Sequence, residues 1–321
     1  MTKSCGTTTA ARCERVQLMR IYSHPACLAH DTGPAHAERP ERLSAVTDAL
    51  HMAFPRLDWH EAPRASRGQL LRAHTPALLE QVLETRPSER MLLDPDTVLS
   101  PHSAEAGLRA AGAVVAAVDA VLSGKTRRAF CAVRPPGHHA TADIAMGFCL
   151  FNSIAVGALH ALAAHGLERV AIVDFDVHHG NGTQAIFEHD GRVVFAGSHQ
   201  DPLYPGTGSP GETGEGNIFN ATLPPNAGSA EFRAAWSQRL LPAVAAFKPQ
   251  LLMISAGFDA HQRDPLAQLQ LETADFAWIT VELVALARQY CDGRIVSSME
   301  GGYDLTALAE SSVAHVGALL A

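Results

Sequence analysis

The chain alternates between short apolar segments and longer segments with helical periodicity, and this alternation constrains its fold more than any other feature. Each apolar segment is followed by glycine, proline or aspartate before the helical pattern begins. Strands that alternate with helices form a parallel sheet covered by helices. Most of the apolar segments lack alternating polar positions, which is typical of strands buried on both faces. The sequence therefore predicts an α/β fold.

These patterns predict the positions of the main strands and helices. We predict strands at residues 18–22, 130–133, 170–173, 193–196, 251–255 and 295–298. We predict helices at residues 41–54, 104–122, 152–164, 231–247, 274–289 and 305–320. No repeat or linker divides the chain, so we predict one domain over residues 16–321. Residues 1–15 are rich in serine and threonine and lack the apolar core of a secretory signal, and we predict a flexible tail there.

Charge and cysteine content exclude several classes of protein. A formal net charge of −8 disfavours binding to a phosphate backbone, so we expect no nucleic-acid partner. The most apolar helical segment, near residues 110–122, contains Asp119 and is too short to cross a bilayer, so we expect no membrane segment. The six cysteines include no C-x-x-C pair, which predicts neither a thiolate metal site nor a disulfide framework. The cytoplasm is the expected location.

Ionisable residues are concentrated at the ends of four predicted strands. In open parallel sheets the ligand lies outside the carboxyl ends of the strands. We therefore expect these four segments to meet at one edge of the sheet. They are R-P-P-G-H-H at 134–139, D-F-D-V-H-H-G-N at 174–181, A-G-F-D at 256–259 and E-G-G-Y at 300–303.

Three residues in these segments form a candidate metal site. Asp176 and His178 are two positions apart at a strand end, so their side chains project to the same side. Asp259 follows another strand and supplies a third ligand. Two carboxylates and an imidazole, with one position left for water, suit catalytic zinc. The same residue types also cap helices, but the convergence of several strand ends favours the metal site.

A histidine pair and a tyrosine are the other candidate catalytic groups. His138 and His139 follow a rigid Pro-Pro-Gly turn, which is a suitable place to fix two proton-transfer groups. Adjacent histidines also occur on surfaces and in cores without any such role. Tyr303 follows two glycines and is a neutral group that can donate a hydrogen bond to a substrate.

The segments at these strand ends resemble signature motifs of the histone deacetylase superfamily. The blocks R-P-P-G-H-H, D-F-D-V-H-H-G-N-G-T-Q, Y-P-G-T-G, S-A-G-F-D and E-G-G-Y-D-L match its signature motifs in order, over residues 22–320. The segment H-A-E-R-P-E-R-L at residues 36–43 resembles the start of the family's amino-terminal helix. The resemblance implies an arginase-like three-layer α/β/α sandwich with a central, mostly parallel sheet.

The resemblance also implies a role for each residue of the site. It implies hydrolysis of an amide by water that zinc activates, with a structural potassium ion nearby. Asn181, where class I enzymes carry aspartate, resembles the class II pattern. The implied catalytic groups are His138, His139, Tyr303, Asp174 as partner of His138 and Asn181 as partner of His139; the implied zinc ligands are Asp176, His178 and Asp259; the implied potassium ligands are backbone oxygens of Asp174, Asp176, His178 and the region of Ser198. Gly197 stands where the family often has serine.

The implied substrate is an acylated lysine in a protein or peptide. Tyr204 replaces the phenylalanine of many relatives, and Leu266 replaces the acidic residue of polyamine-selective relatives. Leucine cannot attract a second ammonium group, so acyl-lysine is favoured over acetylpolyamine. The implied substrate-binding residues are Gly147, Phe148, Tyr204, Leu266 and Gly301.

Three other functions remain open from the sequence. An acetylpolyamine amidohydrolase would share the same catalytic groups. A two-metal, ureohydrolase-like enzyme would need further aspartates where Val177 and Ala260 stand. A noncatalytic acyl-lysine-binding protein would be expected to have lost part of the catalytic set, all of which is present in this sequence. His179 and His261 lie next to the metal motifs and are predicted to lie outside the metal shell.

Overall fold

The computed structural model describes residues 19–321. The predicted tail at residues 1–15 lies outside this range, and the single domain over residues 16–321 stays a prediction. The strands are β1 (Arg20–Ser23), β2 (Asp58–Glu61), β3 (Met91–Leu92), β4 (Val98–Leu99), β5 (Arg128–Cys131), β6 (Val170–Asp174), β7 (Val193–Gln200), β8 (Ile218–Leu223), β9 (Leu251–Ala256) and β10 (Ile295–Met299). The helices are α1 (Glu41–Ala53), α2 (Arg67–Leu70), α3 (Pro76–Leu83), α4 (Ser103–Leu122), α5 (Ser153–His165), α6 (Asn181–Phe187), α7 (Ser229–Ala235), α8 (Leu241–Phe247), α9 (Thr273–Tyr290) and α10 (Leu305–Leu320).

The central sheet of the described residues has the strand order β2-β1-β5-β10-β9-β6-β7-β8. Every pair of neighbouring strands in it is parallel. Strands β6, β9 and β10 are buried along their whole length, as expected for a parallel sheet covered on both faces. Strands β3 and β4 form a separate small antiparallel hairpin.

Helices cover both faces of the sheet. Helices α4 and α5 pack together, and Met253 of β9 lies beside Gly157 of α5. Helices α1 and α9 pack on α10, whose His315 contacts Ser297 of β10. Ser297 and its neighbour Val296, which pairs with Met253, point to opposite faces because side chains alternate along a strand. The predicted three-layer α/β/α sandwich is confirmed.

The predicted elements are present with small shifts at their ends, and two strands of the sheet were missed. β2 and β8 form the two edges of the sheet and contain polar residues, which edge strands commonly carry. The predicted helix at 231–247 is interrupted at Trp236–Leu240, where the backbone forms a π-type segment. Pro242, the second residue after this segment, lacks the N–H that a continuous α-helix would use there.

This strand order determines where the polar segments lie. β5, β10, β9 and β6 are adjacent in the middle of the sheet, and the four segments predicted from the sequence follow these four strands. Their carboxyl ends lie on the same edge because the strands are parallel. Among the helices of residues 19–321, none is long and apolar enough to cross a membrane.

Candidate active site

Asp176, His178 and Asp259 lie together beyond the ends of β6 and β9. Each offers one ligand atom, and these atoms lie within 4.8 Å of one another. The Nδ1 atom of His178 lies 3.1 Å from Oδ1 of Asp176 and 3.1 Å from Oδ2 of Asp259. The two carboxylates are buried, and His178 is almost fully buried. A buried group of two carboxylates and one imidazole is a suitable set of ligands for a divalent metal ion.

Backbone N–H groups hold the two carboxylates in place. Val177 donates to Oδ1 of Asp259 over 2.8 Å, and Gly301 donates to Oδ2 of Asp176 over 2.8 Å. A Cβ atom at Gly301 would overlap the carboxylate of Asp259, and one at Gly257 would overlap that of Asp176. Gly257 of A-G-F-D and Gly301 of E-G-G-Y are therefore required by the close approach of backbone to carboxylate.

A second group of potential metal ligands lies between α4 and α5. Oδ1 of Asp119 is 2.8 Å from Nε2 of His160 and 2.7 Å from Nε2 of His165. Nη1 of Arg72 is 2.7 Å from Nδ1 of His160. Because arginine can only donate, Nδ1 of His160 accepts and its Nε2 carries the hydrogen that is donated to Asp119. Hydrogen bonds alone account for this cluster.

The two adjacent histidines have different partners. Nδ1 of His138 lies 2.9 Å from Oδ2 of Asp174, and Nδ1 of His139 lies 2.7 Å from Oδ1 of Asn181. Burial lowers the pKa of His138, but the carboxylates of Asp176 and Asp174 outweigh it and raise the pKa to about 10. The protein groups therefore favour a charged His138.

His139 is shifted in the opposite direction. Burial is the main cause, and the neighbouring His138 and His178 add to it, so the pKa of His139 lies well below its ordinary value. The ring centroids of His138 and His139 are 4.0 Å apart. The opposite directions of the two pKa shifts favour a neutral His139 beside a charged His138, a difference that suits a pair of acid–base groups.

A cavity of about 230 Å³ leads to these residues. Tyr204 meets the ring of His139 edge-on, with centroids 5.1 Å apart, and Phe148 meets Tyr303 in the same way at 5.9 Å. Of the predicted substrate-binding residues, four line this cavity, whereas Gly301 lies behind the wall against Asp176. The lining consists of Asp96, His139, Gly147, Phe148, His178, Leu203, Tyr204, Leu266 and Tyr303.

Tyr303 is held from two sides. Its backbone N–H donates to Oδ2 of Asp264 over 2.7 Å. The guanidinium of Arg42 lies 4.8 Å from the centre of its ring and donates through Nε to the carbonyl of Gly302 over 2.6 Å. Burial raises the pKa of the Tyr303 hydroxyl well above its ordinary value. The phenol therefore stays protonated and can donate a hydrogen bond into the cavity.

Glu300 and Asp96 are among the residues of the site that the sequence did not single out. Glu300 is buried beneath the histidine pair, and its Oε2 accepts from the backbone N–H of Gly137 over 2.6 Å and of His138 over 3.2 Å. Asp96 lines the cavity and follows the small β3 strand. Glu300 is part of the E-G-G-Y segment, which is a signal that could have identified it; no motif in the sequence indicates Asp96.

The remaining histidines beside the metal motifs have other partners. His179 is hydrogen-bonded to Oγ1 of Thr207 over 2.8 Å and to Oε1 of Gln184 over 2.9 Å. His261 accepts from the backbone N–H of Arg263 over 3.2 Å. Neither belongs to the group of metal-ligand atoms found in residues 19–321.

Comparisons with known proteins agree with this geometry. The family model described as Histone deacetylase domain matches residues 36–319. The chain is 41% identical over 276 residues to the histone deacetylase-like amidohydrolase of Pseudomonas aeruginosa, and the aligned region covers 84% of this chain and 72% of that protein. It is 40% identical over 293 residues to a probable deacetylase of Archaeoglobus fulgidus, and the aligned region covers 89% of this chain and 81% of that protein.

A solved structure supports the same assignment. The crystal structure of the HDA15 HD domain superposes with a TM-score of 0.89 at 36% identity and covers 94% of this chain and 90% of that chain. The fold and the site therefore define a hydrolase of the deacetylase class. The chain belongs to the histone deacetylase family.

Proposed function

We propose that the protein is a zinc-dependent amidohydrolase that removes acetyl or other acyl groups from lysine side chains. The observation that carries this proposal is the buried cluster of Asp176, His178 and Asp259, in which His178 lines the same cavity as His139 and Tyr303. These three residues would hold the metal, and their two carboxylates would neutralise its charge. When bound, zinc polarises a carbonyl and lowers the pKa of a water molecule.

The protein residues supply the proton transfers in this proposal. Nε2 of His139 takes the proton of the attacking water while the O–C bond forms at the amide carbon. The hydroxyl of Tyr303 donates a hydrogen bond to the carbonyl oxygen as negative charge develops there. The C–N bond then breaks, and a histidine of the pair protonates the leaving amine. Asp174 and Asn181 orient the two rings through their Nδ1 atoms.

The shape of the cavity supports an acyl-lysine substrate. Phe148, Tyr204 and Leu266 provide aromatic and aliphatic walls for a thin alkyl chain. Asp96, which is partly exposed, also lines the cavity, and its carboxylate could accept hydrogen bonds from the backbone N–H groups of a peptide. The structural potassium ion implied by the family resemblance remains a prediction.

An acetylpolyamine is the second candidate substrate, because Asp96 would also attract a distant ammonium group. Turnover by zinc-quantified protein should be compared across acetyl-lysine peptide, longer acyl-lysine peptides and an acetylated polyamine. We expect the highest kcat/KM on an acyl-lysine peptide. The matched variant Leu266→Glu should shift the ratio toward the polyamine, because it adds a negative charge at the cavity.

Two results would contradict this proposal. A higher kcat/KM for the acetylated polyamine with the wild-type chain would reassign the substrate. Binding of an acyl-lysine peptide without hydrolysis of any amide, with zinc loaded, would favour the noncatalytic binding protein.

A further inference from the structure

The amide of Asn181 has two different ends, and its orientation decides which nitrogen of His139 carries the hydrogen. Oδ1 of Asn181 lies 2.7 Å from Nδ1 of His139. An amide oxygen only accepts, so Nδ1 must donate and Nε2 keeps its lone pair. If the amide were reversed, its NH2 group would donate to Nδ1, and the hydrogen would move to Nε2. His139 would then have no lone pair at Nε2 with which to take a proton.

The other end of the amide faces a thioether. Nδ2 of Asn181 lies 3.5 Å from Sδ of Met146. Sulfur in methionine is a weak acceptor and cannot donate. The sulfur therefore stabilises the orientation in which the NH2 group of Asn181 faces it. It disfavours the reverse orientation, in which lone pairs of the amide oxygen and of the sulfur would face each other.

We propose that Met146 is a positioning residue that sets the orientation of the Asn181 amide and, through it, the tautomer of His139. This inference rests on the proposed function only in making His139 the base. A residue that acts in this way touches neither substrate nor metal. It determines which form of His139 faces the cavity.

The backbone fixes the thioether in this position. Met146 and Cys149 exchange backbone hydrogen bonds of 3.1 Å and 2.9 Å and so close a tight turn. Gly147, inside the turn, has a positive φ of 56° and packs so closely on the ring of His139 that a side chain would clash with it. One turn therefore places Sδ against Asn181 and a glycine against the ring that Asn181 orients.

The test compares Met146→Leu in two backgrounds. Leucine has a similar volume but no acceptor. With Asn181 present, we expect kcat/KM to fall roughly two- to ten-fold, in line with the loss of one modest hydrogen bond. In the Asn181→Asp background both carboxylate oxygens accept, so no orientation remains to be set, and Met146→Leu should change kcat/KM less than about two-fold. An equal loss in both backgrounds would show a packing role and overturn the proposal.

A second measurement reports the tautomer directly. The ¹⁵N shifts of His139 in zinc-loaded, ¹⁵N-histidine-labelled protein should show hydrogen on Nδ1 in the wild type and a growing Nε2–H population in Met146→Leu. An unchanged tautomer in that variant would overturn the proposal. This measurement needs no turnover, so it tests the inference separately from the proposed function. If the protein hydrolysed no amide but showed the expected tautomers, the inference would be supported and the proposed function would fail.

Discussion

At the scale of single residues, the role of Tyr303 as a hydrogen-bond donor depends on the groups that surround it. Its ring contacts Arg42 and Phe148, and its backbone N–H donates to Asp264. Burial raises the pKa of its hydroxyl, so the group remains a donor at neutral pH. A donor fixed before the reaction stabilises a developing oxyanion without reorganisation.

Replacing Tyr303 by phenylalanine removes the hydroxyl and keeps the ring. We expect turnover of an acetyl-lysine peptide to fall by roughly 10²–10³, the usual effect of losing one oxyanion donor. Zinc content and thermal stability should stay close to those of the wild type. Tyr290→Phe, on the distant helix α9, is the matched control and should leave turnover unchanged. Near-normal turnover of Tyr303→Phe would reject the assignment.

At the scale of elements, a buried ion cluster joins the first helix to the turn that precedes the histidine pair. The fully buried carboxylate of Glu38 lies 3.1 Å from Nη1 of Arg42 and 2.6 Å from Nη2 of Arg134. Burial raises the pKa of Glu38, but Arg134 and Arg42 outweigh it and lower the pKa to about 2. Arg42 and Arg134 also bond to backbone carbonyls, so the cluster fixes both elements.

Replacing Glu38 by glutamine should lower the free energy of unfolding by roughly 3–5 kcal/mol at pH 7, because two buried guanidinium groups lose their counter-charge. The folded-state pKa lies below the unfolded value, so the contribution of Glu38 is present above about pH 4.5 and is lost as pH falls toward 2. Urea unfolding at several pH values should show the two proteins converging in acid. Glu41→Gln, at an exposed position, is the control; a constant difference between wild type and Glu38→Gln down to pH 2 would contradict the account.

The sequence predicts the central elements better than the edges. Strands β6 and β9 are almost continuously apolar, and burial on both faces leaves little alternative. β2 contains Asp58 and His60 and has no such pattern, so its position depends on pairing with β1. The positions of edge strands depend on tertiary contacts, which cannot be read from the local sequence pattern.

The same distinction applies to the site. The residue types of Asp176, His178 and Asp259 and their positions at strand ends could be predicted because parallel strands end at one edge. Other contacts of the site join residues that are far apart in the chain. Glu300 contacts the histidine turn, and Met146 contacts Asn181. Loop packing decides these contacts, and no local pattern indicates them.

At the scale of the whole molecule, four adjacent strands deliver every proposed catalytic and metal-binding side chain to one edge of the sheet. The family match over residues 36–319 includes all four strands. The expected cytoplasmic location and the expected lack of a nucleic-acid partner stay predictions. The central claim is that the site formed by Asp176, His178 and Asp259 holds the zinc ion on which amide hydrolysis depends.

The most direct test measures zinc content and acetyl-lysine hydrolysis in the same samples of wild type, Asp259→Asn and Asp119→Asn. We predict about one zinc ion per wild-type chain and turnover that falls on chelation and returns with zinc. We predict that Asp259→Asn loses both the zinc ion and the turnover. Asp119→Asn alters the other cluster of potential ligands and should change neither quantity. Full zinc content and turnover in Asp259→Asn, or undiminished hydrolysis by metal-free wild type, would contradict the claim.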